Sequence, residues 1–201
     1  MIRTRLLITS ALMPFVLGLS GCMHVPVSTV YKLATFDVVD SDPGVIRAAV
    51  RYPQALAVQP GGVVLTITTS GREGGKGKGI ETFVLEHATE RTELDAIARY
   101  RRDGMMVATY RLSGVDTVRA RHLLAQHKEA VARGERPGSK GIGVAATACH
   151  VAGLPSGAIL TSTFLKLDGA GYMPVIEDLD LRSQLSAEDL AAHVRPCVPS
   201  Q

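Results

Sequence analysis

The thiol and imidazole side chains near the carboxyl end are the first candidates for chemistry. Cys149 is followed directly by His150, and His193 lies four residues before Cys197. Two thiolates and two imidazoles are ligands that Zn²⁺ prefers. However, adjacent residues of a strand point to opposite faces of a sheet, so Cys149 and His150 are poorly placed to reach one ion. The pattern therefore does not predict a zinc site.

Two histidines and an acidic run are the next candidates. His122 and His127 lie five residues apart on a predicted helix, about 140° apart around its axis, so they do not form a chelating pair. The run from Glu177 to Asp180 offers paired carboxylates, but it lacks the spacing of a calcium loop. We interpret it as the solvated end of a strand. The serine hydrolase motifs Gly-x-Ser-x-Gly and Ser-x-x-Lys do not occur in the sequence.

A glycine- and lysine-rich segment, Gly71 to Gly79, invites a phosphate-binding interpretation because backbone amides in a glycine run can surround an anion. A P-loop, however, has Gly-Lys-Ser/Thr at a fixed spacing before a helix, and this segment lacks that motif and precedes a predicted strand. We interpret it as a solvated loop. These patterns predict no catalytic residue, no cofactor and no metal, and hence a protein that is not an enzyme. An unrecognised hydrolase is the least favoured alternative.

The amino terminus carries the most specific motif. Arg3 and Arg5 precede an apolar run over residues 6–19, which as a helix would measure roughly 21 Å, too short for a bilayer core of about 30 Å. The run ends in Leu19-Ser20-Gly21-Cys22, which resembles the lipobox of bacterial lipoproteins. The remainder resembles the small envelope lipoproteins of GC-rich proteobacteria, but no active residue can be carried over from that likeness.

The lipoprotein resemblance implies a cellular location. Residues 1–21 would be a signal peptide, Cys22 would carry the lipid that binds the membrane, and residues 22–30 would be a tether. Residues 31–201 would form a single β-rich periplasmic domain. Met23 stands where an Asp would commonly mark inner-membrane retention, so the resemblance favours the periplasmic face of the outer membrane over the inner membrane.

The same resemblance implies a role for each of the three cysteines. With Cys22 lipidated, Cys149 and Cys197 remain as an even pair in an oxidising compartment, where a disulfide is the economical expectation. It would close a loop of about 48 residues and stabilise the fold by about 4 kcal/mol.

Charge and composition exclude some partners. The formal net charge is +3, and removing Arg3 and Arg5 leaves +1. This near-neutral chain lacks the excess of lysine and arginine typical of a nucleic-acid binder. It also has no tryptophan, which disfavours glycan binding by stacking.

Alternating apolar residues predict a chain made mostly of strands. In the second of these, Ile46, Ala48 and Val50 lie on one side, and Arg47 and Arg51 lie on the other. A hairpin is expected where residues 153–157 join two of the strands. The predicted strands are 31–39, 45–51, 63–68, 80–87, 105–112, 142–149, 158–167 and 172–181.

Capping motifs predict the helices. Ser113 with Asp116 opens a long helix over residues 114–133, and Ser186 with Asp189 opens a short helix near the carboxyl end. Residues 92–102 are a weaker helix candidate, with Thr92 and Asp95 as its cap.

These elements predict a mainly β fold, a β-sandwich of immunoglobulin-like or transthyretin-like type, with one long and one short carboxyl-terminal α-helix. The function hypothesis is a lipid-anchored, non-enzymatic binding or assembly module that binds an envelope protein partner in the periplasm and does not bind nucleic acid. The alternative is a periplasmic carrier of a small ligand or lipid.

Overall fold

Strands dominate the computed structural model, which describes residues 41–69, 79–134, 140–167 and 171–198. Seven strands form one curled antiparallel sheet in the order β5-β2-β3-β4-β1-β6-β7. The prediction of a mainly β fold is confirmed. The strands are β1 Arg47–Pro53, β2 Leu56–Thr69, β3 Gly79–His87, β4 Met105–Leu112, β5 Lys140–His150, β6 Leu160–Lys166 and β7 Met173–Asp180.

Seven of the eight predicted strands correspond to these elements. The first, residues 31–39, lies outside the described residues, as do Cys22 and residues 71–78 of the glycine-rich loop. The expected hairpin at residues 153–157 is wrong, because β5 pairs with β2 whereas β6 pairs with β1 and β7. The turn residues there begin a crossover from one edge of the sheet to the other half.

The described residues also form four α-helices and two short 3-10 turns. The capping predictions for the long helix and for the last helix are confirmed. Oγ of Ser113 accepts a hydrogen bond from the amide of Asp116, and Oγ of Ser186 accepts one from the amide of Asp189. The predicted Thr92 cap is wrong, since that helix starts after Glu90 without a side-chain cap. The helices are α1 Arg91–Ala96, α2 Gly114–Ala132, α3 Leu181–Gln184 and α4 Ala187–His193, and the 3-10 turns are Pro43–Val45 and Ala98–Tyr100.

The main core lies inside the curl of the sheet. It is built from inward side chains of both halves of the sheet, with Ala120 of α2 and Leu190 of α4 packed against them. The alternation holds along β1 and the residue before it, because Ile46, Ala48 and Val50 all point into this core. A single sheet therefore surrounds the core, and the sandwich topology stays a prediction. None of the described helices is both long enough and apolar enough to cross a membrane.

Candidate functional site

The outer surface of one half of the sheet is covered by α1 and the 3-10 turn that follows it. A small second core forms beneath them from Ala49, Ile97, Phe164 and Tyr172. As a result β1 is buried on both faces, which explains why Ala49 is as inaccessible as the inward residues.

A buried guanidinium lies at one end of this small core. Arg51 is only 1% exposed, and its Nη2 donates to Oδ1 of Asp178 at 2.7 Å and to Oγ of Ser162 at 2.9 Å. Its Nη1 donates to the carbonyl of Tyr100 at 2.9 Å. Arg102 binds the same carboxylate from the solvent side, at 2.8 and 2.9 Å. We call Arg51, Arg102, Ser162 and Asp178 the Arg51 cluster.

Asp178 is held in an unusual backbone conformation at this point. Its φ is 53°, the left-handed region that side chains other than glycine rarely adopt, and its amide donates to Ser162 Oγ at 3.0 Å. Burial raises the pKa of its carboxyl, but the hydrogen bonds and charges of Arg102 and Arg51 outweigh burial and hold that pKa below its usual value. Asp178 therefore stays ionised between two guanidinium groups.

A second cluster lies at the other end of the small core. Glu93 of α1 is 6% exposed and accepts from Lys166 Nζ at 2.9 and 3.1 Å and from Tyr172 Oη at 3.0 Å. Arg47 Nε lies 3.5 Å from the same carboxylate. Burial raises the pKa of Glu93, yet the hydrogen bonds from Lys166 and Tyr172 and the two nearby cations lower it overall. We call these four residues the Glu93 cluster.

The strand register explains why Glu93 is needed. Arg111, Arg47 and Lys166 lie directly opposite one another on β4, β1 and β6. Like charges in such cross-strand positions destabilise a sheet. Glu93 offsets the charges of Arg47 and Lys166, and Glu86 pairs with Arg111 at 3.0 Å.

The polar groups of both clusters bind one another and have a structural role. Ser162 Oγ accepts bonds from a guanidinium and a backbone amide, and neither donor can take the proton of the hydroxyl. Both carboxylates are engaged by cations, so neither is poised to exchange a proton near neutral pH. Among the described residues, no group of three or more His, Cys, Asp or Glu side chains could hold a metal ion. The clusters lock α1 and the edge strand β7 onto the sheet.

The other half of the sheet has a different outer surface. Apart from Glu86 near the end of β3, the outward side chains of β5, β2 and β3 are small, β-branched or hydroxylated, and among the described residues they are half-buried or exposed. Ile80 is 58% and Val84 is 52% exposed. We call this surface the open face; its residues are Val64, Thr66, Thr68, Ile80, Thr82, Val84, Gly141, Gly143 and Ala145.

The two edge strands of the sheet also differ. β7 carries features that disfavour further pairing: Pro174, which has no N–H, two register shifts against β6, and the acidic side chain of Glu177. Residues 141–149 of β5 lack these devices, since they include no proline and no charged residue. An unprotected edge offers unpaired N–H and C=O groups to another strand.

The carboxyl-terminal segment occupies one end of the β5 edge. The amide of His150 donates to the carbonyl of Arg195 at 2.9 Å, and the amide of Cys197 donates to the carbonyl of His150 at 3.0 Å. A disulfide joins Cys149 to Cys197, consistent with the pairing expected from the sequence. Beyond this segment none of the described residues pairs with the edge, and we call residues 141–148 the free edge.

The other residues singled out in the sequence are dispersed. His150 Nδ1 accepts the amide of Gly153 at 3.0 Å, and His193 Nδ1 lies 2.7 Å from the carbonyl of Asp189. His122 lies 2.9 Å from Gln126 on α2, whereas Nε2 of His127 is buried and has no hydrogen-bond partner among the described residues.

The interpretation of residues 177–180 as a solvated strand end is right only in part: they end β7 and their side chains are half-buried, but their carboxylates are engaged by other groups of the protein. Asp178 bridges two arginines, and Oδ1 of Asp180 accepts the amides of Ile159 and Arg182. Sequence reasoning also did not anticipate the burial of Arg51 or of Glu93. The one available signal was the pair of arginines alternating with apolar residues on β1.

No protein-family model, curated protein or solved structure matches this chain.

Proposed function

We propose that this chain is a lipid-anchored envelope protein that binds another protein through the open face and the free edge, without catalysing a reaction. The observation that carries the proposal is the asymmetry of the outer surface. One half is covered by α1 and locked by two ionic clusters, whereas the other half leaves apolar side chains such as Val84 and Ile80 exposed. Apolar surface of this kind, next to an unpaired strand edge, is typical of an interaction site.

The proposed anchor is the lipid on Cys22, with the outer membrane's periplasmic face as the favoured location and the inner membrane as the alternative. The lipobox supports this part of the proposal. Replacing Cys22 with Ser is expected to release the protein from membranes and abolish palmitate labelling. Unchanged membrane attachment of the Cys22→Ser protein would contradict the anchor.

We also propose that the curl gives a sandwich-like arrangement, of immunoglobulin-like or transthyretin-like type. In support, β1 and β2 share one core, with Ala48 and Val50 packed in the same cluster as Leu56 and Val63. In the strand order β3 and β4 separate these two strands, so the sheet must bend to bring them together.

Chemical crosslinking in native membranes tests the binding function. The wild-type protein is expected to give a stoichiometric adduct with a second protein. Val84→Lys, which places a charge on the open face, should lose that adduct. Val131→Lys is the control, because Val131 is an exposed apolar residue near the end of α2 and does not belong to the strands of the open face. A wild-type protein without any adduct, or an adduct that survives Val84→Lys, would contradict the proposal.

A further inference from the structure

We propose that the partner adds one extended, uncharged strand to the free edge of β5 and places an aromatic side chain across from Gly143. This inference rests on the proposed binding function and names the mode of binding and the chemistry of the partner segment. Strand addition at an open sheet edge supplies main-chain hydrogen bonds for affinity, while alternate side chains supply specificity.

Gly143 is the residue that identifies the site. Glycine weakens a strand, because it packs no side chain and loses much conformational freedom on folding. At Gly141 an added Cβ would lie 2.6 Å from Oγ1 of Thr68, so the threonine side chain would have to move to accept a larger residue. At Gly143 an added Cβ would meet nothing within 4 Å, and its φ is not in the left-handed region. Packing within the described residues therefore gives no reason for glycine at this position.

The missing side chain leaves a shallow trough on the open face. Gly143 lies opposite Thr66 of β2, and Gly141 and Ala145 flank it along β5 on the same face. A glycine inside a strand often marks the close approach of another backbone. A large aromatic ring on a neighbouring strand can lie over such a glycine and shield its exposed backbone. The trough thus fits an aromatic side chain of an added strand.

The charge and length of the edge define the rest of the segment. Residues 141–149 carry no charge, and the adjacent residues of β2 on the open face, Val64, Thr66 and Thr68, carry none either. A charged strand would gain no ionic partner along this stretch. The segment Arg195–Cys197 already pairs with His150 at the far end and blocks an added strand there. The added strand is therefore limited to the free edge, which is about 26 Å long at about 3.3 Å per residue.

A second copy of β5 fits the free edge less well. Residues that face each other across an antiparallel ladder lie on the same side of the sheet, so two copies of β5 paired about Val144 would set Gly143 against Ala145 and Gly141 against Thr147 on the open face. Such pairs offer almost no cross-strand side-chain contact, which is the main source of stability between neighbouring strands. The observations therefore favour a different segment, with larger side chains than β5 itself.

Peptide binding tests the proposal. The probe is a synthetic peptide of alternating Thr and Val with one central Phe, about eight residues long, with Lys at the ends for solubility. Fluorescence anisotropy should show binding to the full-length protein and about tenfold weaker binding to Gly143→Val. The Phe→Ala peptide should lose about the same factor, and a peptide with Pro at alternate positions should not bind. Equal binding by wild type and Gly143→Val, or no binding of the Phe peptide, would overturn the proposal.

Gly157→Val is the matched control. Gly157 also has open space around the position of an added Cβ, and it lies in the connection between β5 and β6, outside the free edge. This variant should bind the Phe peptide as tightly as the wild type does. A loss of binding in Gly157→Val equal to that in Gly143→Val would overturn the assignment of the site.

Hydrogen–deuterium exchange identifies other occupants. In the protein alone, the edge-facing amides of residues 141–148 should exchange quickly, and the Phe peptide should slow them. Slow exchange without peptide that depends on protein concentration would assign the edge to a second copy. Slow exchange that does not depend on concentration would assign it to a segment of the same chain, and either result would overturn the proposal.

The failures of the two proposals are distinguishable. A wild-type protein that gives no adduct in native membranes contradicts the binding function itself. An adduct that is lost in Val84→Lys but survives in Gly143→Val leaves the binding function intact and overturns strand addition at β5.

Discussion

Arg51 Nη2 and Asp178 Oδ1 lie 2.7 Å apart although their strands, β1 and β7, are not neighbours. The two side chains reach across β6, where Ser162 Oγ accepts hydrogen bonds from both the Arg51 guanidinium and the Asp178 amide. Neighbouring strands lie about 4.8 Å apart, so the backbones of β1 and β7 are separated by roughly twice that distance. The two side chains bridge this separation. Their contact ties the edge strand β7 to the interior of the sheet, and stability should therefore depend on it.

Removing the charge of Asp178 should destabilise the fold strongly. Asp178→Asn keeps a residue that tolerates positive φ but leaves the buried Arg51 without its carboxylate, at a cost of about 3 kcal/mol. Asp178→Ala should cost about 1 kcal/mol more, because alanine also disfavours this backbone conformation. Urea unfolding measures both free energies.

The control for this experiment is Asp95→Asn. Asp95 pairs with Arg91 in an exposed contact of 3.8 Å on α1, so its loss should change the free energy of unfolding by less than about 0.5 kcal/mol. Equal effects of Asp95→Asn and Asp178→Asn would contradict the structural role of the Arg51 cluster.

Acid should destabilise the protein through the same groups. Glu93 and Asp178 have folded-state pKa values below their ordinary ones, so the unfolded chain binds protons first as the pH falls. The stabilisation is fully present above about pH 5 and is lost as the pH falls through about 4 towards the folded values. The free energy of unfolding against pH should show this slope. The double variant Glu93→Gln, Asp178→Asn should have a smaller slope, and an unchanged slope would be inconsistent with these assignments.

The two glycines of the open face should respond oppositely to valine. Gly143→Val should keep or raise stability, by about 0.5 kcal/mol, because valine favours strands and an added Cβ meets open space. Gly141→Val should lose about 1–3 kcal/mol, because the new Cβ would clash with Thr68 Oγ1. Thermal unfolding of both variants is the measurement. A strongly destabilised Gly143→Val protein would show that the fold needs glycine there.

Reduction of the disulfide should loosen the carboxyl-terminal segment. The bond between Cys149 and Cys197 closes a sequence separation of 48, for which chain entropy predicts about 4 kcal/mol of stabilisation. Urea unfolding of the Cys149→Ala, Cys197→Ala variant should show a loss of that order. Amide exchange at His150 and Cys197 should also accelerate, since their hydrogen bonds join the segment to β5. Unchanged exchange at both amides would show that the segment is held by other contacts.

Local patterns in the sequence predicted the strands and two helix caps because these features depend on nearby residues. Alternation placed Ile46, Ala48 and Val50 in the core, and Ser113 and Ser186 open helices as expected. The hairpin prediction failed because the turn residues at 153–157 suit both a hairpin and a crossover, and only the pairing of distant strands decides between them.

The ionic clusters could not be predicted for the same reason. Arg51 and Asp178 are separated by 127 residues, and Glu93 and Lys166 by 73. Each side chain alone is typical of a solvated surface. Their burial follows from the placement of α1 over β1 and β6, which no local pattern specifies. The free edge was equally hidden, since an edge strand is defined by the strand order and not by its own residues.

Site-specific photocrosslinking in native membranes tests the central claim most directly. A photoreactive residue at Thr147, an exposed threonine of the free edge, is compared with one at Thr89, an exposed threonine between β3 and α1. We expect a discrete adduct with another protein from Thr147 that Gly143→Val abolishes, and none from Thr89. Adducts of equal yield from both positions, an adduct from Thr147 only with a second copy of this chain, or none from Thr147 would contradict the account.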